Sequence, residues 1–150
     1  MSLINRLCAC QEGCIFSSTQ VVFSVYGEST SYFMANPGHK IISKHVVDKC
    51  LLVALNDEQK CDYLFVVNND GVDDGYFIEL KGSDVTKAIK QLISSVAQLG
   101  DEINGEIYGR IVCSKFLKAP FIKASQPYLR LMKIIGGNLI IRSQHLTETV

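Results

Sequence analysis

The stretch from residue 62 to residue 97 constrains this chain more than any other. Residues 62–67 (DYLFVV) are an apolar run rich in β-branched and aromatic side chains, the composition of a strand. Residues 68–75 (NNDGVDDG) concentrate Asn, Asp and Gly, which mark a turn. Residues 76–81 (YFIELK) follow as a second strand. Then Val85, Ala88, Ile89, Leu92, Ile93, Val96 and Ala97 recur at helical spacing and make one apolar stripe. A hairpin that runs straight into an amphipathic helix predicts a sheet with a helix laid across one face. Ser83 is the expected N-cap and Gly100 the expected stop.

The flanking sequence extends that sheet. Residues 20–26, 30–35, 41–47 and 50–55 read as strands, with Asn36-Pro37-Gly38 and residues 56–60 as turns. After the helix, residues 106–115 form a strand reached by a helical crossover, so it is expected to lie parallel to an earlier strand. A second helix is expected over 125–135, with Pro127 in its first turn, an apolar face of Tyr128, Leu131, Met132 and Ile135, and Gly136-Gly137 at its end. Residues 138–142 read as a last strand. The expected fold is a mixed α/β (α+β) sandwich over residues 1–150, one domain with a β-rich N-terminal part and helices packed on the sheet.

Composition narrows the class. With 150 residues, 47 % of them apolar and 20 % charged, the chain can bury a core, and a disordered or fibrous state is excluded. No apolar run approaches the roughly 20 residues that cross a bilayer, and residues 1–11 do not read as a signal peptide. A cytosolic protein away from membranes is therefore expected, and its six cysteines read as thiols. Cys8, Cys10 and Cys14 have the spacing C-x-C-x3-C, with no His nearby. They are open to two readings, a metal site or a set of small idle thiols. Formal net charge is zero but uneven: residues 48–84 hold nine acids and three lysines, while residues 107–147 hold seven basic residues and no acid. One region could hold cations and the other phosphates, or both could be ordinary solvated faces.

Along residues 76–81 side chains alternate. Tyr76, Ile78 and Leu80 share a face that reads as core, whereas Phe77, Glu79 and Lys81 share the other. Glu79 and Lys81 therefore project together, about 7 Å apart along the strand. If the hairpin closes, Asp62 falls near Glu79. Two carboxylates can hold a Mg2+ ion that keeps several waters. Such an ion acidifies water and polarises a phosphate, and an adjacent lysine can orient the water or stabilise the charge that grows during attack. A Glu-x-Lys triplet arises by chance about 0.5 times in a chain of this composition. The triplet therefore means little without its setting of strand, upstream Asp and downstream helix; the bland alternative is a surface ion pair.

In that setting, KCDYLF followed by YFIELKGSDVTKAIKQL resembles the core of the PD-(D/E)xK (restriction-endonuclease-like) nuclease superfamily, closely over residues 61–92 and loosely beyond. The stretch before it also resembles small bacterial nuclease-like proteins, some from anti-phage or mobile-element settings. The resemblance implies a restriction-endonuclease-like sheet flanked by helices. It further implies a Mg2+- or Mn2+-dependent phosphodiesterase, with Asp62 and Glu79 binding the metal and Lys81 acting with the water. Gln91 matches a helix glutamine that several branches place at the site. The implied substrate is nucleic acid, with DNA favoured over RNA, and the implied assembly is a dimer or a larger complex. Two features depart from the pattern. Cys61 stands where many members have Pro, and strands occupy the place of an early helix that carries a Glu, leaving Glu28 or Asp48 as candidates for a third acid.

Other residues carry paired readings. Lys87, Lys90, Lys115, Lys118 and Lys123 could touch a phosphate backbone or be ordinary surface lysines. Tyr26, Tyr32 and Phe33 could stack on bases or lie in the core. Gln91 shares the polar side of its helix with Lys87, Ser94 and Ser95, a solvated face unless it serves the site. His39, His45 and His145 have no partner pattern and read as structural. Two other classes stay open: a non-catalytic nucleic-acid- or protein-binding module that keeps the fold, and a small metal-binding protein built on Cys8, Cys10 and Cys14.

Overall fold

The structure, a computed structural model, describes residues 15–48 and 60–150. The Cys8, Cys10 and Cys14 cluster and the strand expected over 50–55 lie outside the described residues. The strands are β1 (Ile15–Ser18), β2 (Val22–Tyr26), β3 (Ser31–Ala35), β4 (Ile42–Val46), β5 (Tyr63–Asn69), β6 (Val72–Lys81), β7 (Ile107–Cys113), β8 (Leu139–Ser143) and β9 (His145–Thr149). The helices are α1 (Val85–Leu99), which runs into a 3-10 turn at Gly100–Glu102, α2 (Ala119–Lys123) and α3 (Gln126–Ile134).

Six strands form one sheet in the order β1-β4-β5-β6-β7-β8. The pairs from β1 to β6 are antiparallel, and β6, β7 and β8 run parallel. The crossover through α1 thus makes β7 parallel to β6, as the sequence requires. A second sheet has the order β2-β3-β9, with β2 antiparallel and β9 parallel to β3. The result is a mixed α+β sandwich. Helices cover one face of the large sheet and the small sheet covers the other.

Each face has its own core. On the helix side Leu64, Phe77 and Ile111 meet Ala88, Ile89, Leu92, Leu131 and Ile135. Between the sheets Phe23, Tyr32 and Met34 meet Phe65, Ile78 and Val112. Gly109 permits the close approach of the helices, because a Cβ there would lie 3.0 Å from Ile135 Cδ1 and 3.3 Å from Leu92 Cδ1. The central strands are buried on both faces, so they read as continuous apolar runs rather than clean alternations. This corrects the expected division of β6 into a core face and an outer face. Phe77 and Glu79 are as buried as Tyr76 and Ile78, and Lys81 is half-buried.

Several local expectations are also revised. The turn spans two residues, Asp70 and Gly71, both with positive φ (51° and 90°), rather than residues 68–75. Asp-Gly suits such a tight hairpin, whose backbone twist matches that of its strands. Asp84, not Ser83, caps α1, its side chain accepting from Lys87 N at 3.0 Å. Ser125 caps α3 and accepts from Tyr128 N. Three elements went unforeseen: β1 (Ile15–Ser18), β9 and α2. Strand β9 (HLTET) is too polar to declare itself, having one buried apolar residue, Leu146. The α2 helix has only five residues.

Candidate active site

The hairpin register builds the site. Tyr63 pairs with Ile78, so Asp62, one residue earlier, lies opposite Glu79, one residue later. Asp62 N donates to Ile78 O at 3.2 Å, and Val47 N donates to Asp62 O at 2.9 Å, continuing the same row into the end of β4. On the other side Glu79 pairs with Ile111. This row faces the helices. Asp62 is held by its own carboxylate, whose Oδ2 accepts from Leu80 N at 2.9 Å. Glu79 is 2 % exposed, and Lys81 is on its face of β6.

Two carboxyl groups facing each other beneath a helix cannot both carry charge cheaply. The Glu79 carboxyl is pushed up to about 10, first by burial, then by the Asp62 charge and by the hydrogen bond between the two side chains. Lys81 opposes the shift and Asp48 adds to it. In this state Glu79 keeps its proton and donates it toward Asp62, while among the described residues Glu79 Oε1 has no hydrogen-bond partner. A cation would relieve that crowding.

The surrounding segment is tied to α1. Ser95 Oγ accepts from Cys61 N at 2.7 Å, and Gln91 Nε2 donates to Lys60 O at 3.2 Å. Gln91 and Ser95 are therefore buried, not part of a solvated face; their polar groups meet the backbone just before Asp62. Cys61 is buried beside them. Of the two candidate third acids, Asp48 lies close enough for its charge to act on Glu79, and its carbonyl accepts from Lys60 Nζ at 2.7 Å. Glu28 is exposed in the turn between β2 and β3, on the small sheet.

The structure therefore gathers Asp62, Glu79 and Lys81 in one corner, with Gln91 on the Lys60 carbonyl two residues before Asp62 and Lys87 one helical turn before Gln91. It does not bring every predicted cation there. Lys90 lies on another face of α1 and lines a cavity of about 810 Å3 with Ile93, Leu129, Arg130 and Lys133, between α1 and α3. None of Asp62, Glu79 and Lys81 borders that cavity. Lys115 and Lys118 are exposed in the segment that leaves β7. Among the aromatic candidates Tyr32 is core, Tyr26 is exposed and Phe33 half-buried. His45 is buried, while His39 bonds the Thr19 carbonyl and His145 bonds the Ser31 and Thr147 hydroxyls.

No protein-family model matches this chain, and no curated protein or solved structure matches it. What the site can hold is therefore argued from its own chemistry. Among the described residues no group of three or more His, Cys, Asp and Glu side chains is placed to hold a metal ion. Mg2+ makes a smaller demand: one or two carboxylates, with waters and substrate phosphate completing its shell. A pair of carboxyl groups, with Glu79 Oε1 lacking a hydrogen-bond partner among the described residues, fits that demand once Glu79 is deprotonated, whereas a soft thiophilic metal would find no ligand set there. Among the described residues no helix is long and apolar enough to cross a membrane.

Proposed function

We propose that this protein is a Mg2+- or Mn2+-dependent nuclease of the PD-(D/E)xK type, hydrolysing phosphodiester bonds in nucleic acid, with DNA favoured over RNA. The observation that carries the reading is the register that sets Asp62 opposite Glu79, with Lys81 beside them. Asp62 and Glu79 would hold the metal. When bound, the ion supplies an acidified water and neutralises phosphate charge. Glu79 must first give up its proton, so cation binding and deprotonation are coupled. Asp62, already fixed by Leu80 N, keeps its carboxylate oriented without rearrangement. The Lys81 ammonium positions the attacking oxygen and stabilises charge accumulating on the phosphate. Gln91 and Ser95 are positioning residues, which anchor the backbone leading into Asp62.

The depth of Glu79 favours a second reading, a nucleic-acid- or protein-binding module that keeps the fold without the reaction. One panel separates them: plasmid DNA, single-stranded DNA and RNA, each with Mg2+, Mn2+ or EDTA, cut by wild type and by Glu79→Ala. Metal-dependent cutting that disappears in Glu79→Ala supports the nuclease. A folded wild-type protein that cuts nothing with either metal removes it in favour of the module.

A further inference from the structure

The segment that follows β7 is fastened to the site strand. Ser114 N donates to the carbonyls of Lys81 and Gly82 at 3.1 and 2.7 Å, so residues 114–118 leave the sheet at the end of β6 that carries Lys81. Lys118, in the left-handed region at φ 56°, starts α2. Phe116 and Ile122 then pack onto the helix-side core and anchor the segment. The residues between them point away: Leu117 is 62 % exposed and Phe121 77 %. A Phe ring this exposed, on a segment otherwise held down by its neighbours, leaves a large apolar surface in water. Around it Lys115, Lys118 and Lys123 are exposed, and no acid occurs from residue 107 to residue 147.

Cations around a projecting aromatic ring match a polyanion that carries stackable rings. We infer that this surface binds single-stranded nucleic acid, with Phe121 stacking on an unpaired base and Lys115, Lys118 and Lys123 contacting its phosphates. The inference rests on the nuclease reading for its consequence, namely that unpaired strands are the preferred substrate of the carboxylate site. The charges alone fit single and double strands equally. The ring separates them, because bases in a duplex already stack on each other and only an unstacked base offers its face. An acidic helix of a protein partner is the less favoured occupant. It would lie in a groove, and Phe121 stands outside the cavity between α1 and α3.

The test is fluorescence anisotropy in EDTA, where nothing is cut, with a labelled 15-nucleotide oligo-dT and a blunt 15-base-pair duplex. Phe121→Ala and Phe121→Leu are expected to weaken oligo-dT binding about tenfold, with Phe121→Tyr close to wild type and duplex binding little changed. Equal losses on both probes, no loss, or full rescue by Leu would overturn the stacking role. Failure of oligo-dT to bind, together with Phe121-dependent binding of an acidic amphipathic helical peptide, would reassign the surface to a protein partner. Cleavage assays keep the two proposals apart. Phe121-dependent oligo-dT binding without cutting in Mg2+ or Mn2+ would sink the nuclease and leave this surface standing. Metal-dependent cutting whose strand preference is unmoved by Phe121→Ala would do the reverse.

Discussion

Two clusters of buried ionisable groups lie on opposite faces of the same sheet, and they are built in opposite ways. Between the sheets, Arg110 Nε donates to Glu148 Oε2 at 2.6 Å and Nη2 donates to Oε1 at 3.0 Å. Tyr32 donates to the same carboxylate at 2.6 Å. The remaining Arg110 donor reaches the Gly109 and Asn138 carbonyls, and the guanidinium lies 5.5 and 5.2 Å from the stacked rings of Tyr76 and Tyr108. Charge is matched and the donors of this cluster are used. Under the helices, Asp62 and Glu79 are like groups face to face, with one oxygen of Glu79 left without a partner among the described residues. The first arrangement ties β9, near the C-terminus, to the large sheet. The second is held by a single proton, which Glu79 keeps and donates toward Asp62. Breaking a satisfied buried pair strands its partner charge, whereas a buried carboxyl whose proton a neighbouring carboxylate holds is a candidate for chemistry.

That contrast can be broken. If the carboxylate corner is chemical, Lys81→Ala lowers metal-dependent cleavage about 10²- to 10³-fold while unfolding free energy moves by less than about 1 kcal/mol. Initial rates and denaturant titration on the same samples check both halves. The Arg110 cluster should behave inversely. Arg110→Ala strands the Glu148 carboxylate and is expected to cost about 3 kcal/mol, with much of it regained by pairing Arg110→Met with Glu148→Leu. A loss well below about 1 kcal/mol would mean that the network is incidental. Tyr32→Phe removes one hydrogen bond to a carboxylate and should cost about 1.5 kcal/mol.

The pH response sharpens the comparison at smaller amplitude. Glu79 has a folded value of about 10 against 4.5 for a free carboxyl. Between those values the folded chain holds a proton that the unfolded chain has lost, so stability falls as pH rises through that window. Melting temperatures in EDTA should show this decline, and Glu79→Gln should flatten it. Added Mg2+ should bind more tightly as pH rises and release a proton, measurable by calorimetry in buffers of different ionisation enthalpy. His45 gives the opposite sign. Opposite Leu64 on the helix side, it is lowered by burial to about 4 from 6.5. Folded His45 therefore refuses a proton that the unfolded chain accepts, and stability is lost as pH falls from about 6.5 to about 4. His45→Phe should remove that acid limb, and an unchanged limb would place the titration elsewhere.

The site was partly legible because strand alternation is local. Glu79 and Lys81 share a face whatever the turn does. The partner of Glu79 was less secure, since a loop spread evenly over 68–75 would set Asp62 opposite Lys81. The two-residue turn at Asp70-Gly71 moves the register by two and brings the carboxylates together. Gln91 was named as a site residue only through the family resemblance. Helical periodicity put it with Ser94 and Ser95 on a polar side, yet Gln91 and Ser95 are buried against the backbone at Lys60 and Cys61 respectively, which no local pattern records. Arg110 and Glu148 were invisible as a pair, since 38 residues separate them and β9 carries almost no apolar signal.

The sandwich class, the hairpin, the two main helices and the parallel return through α1 could all be read from the residues. Those follow from periodicity and turn chemistry, which act over a few residues. Which acids face each other, which polar side chains are dry, and that β9 closes the second sheet beside β3 emerge only in the folded chain. These depend on register and on contacts between segments far apart in the chain. A pairing shift of one residue turns a whole strand over, and burial beneath a helix sets whether a carboxyl holds its proton.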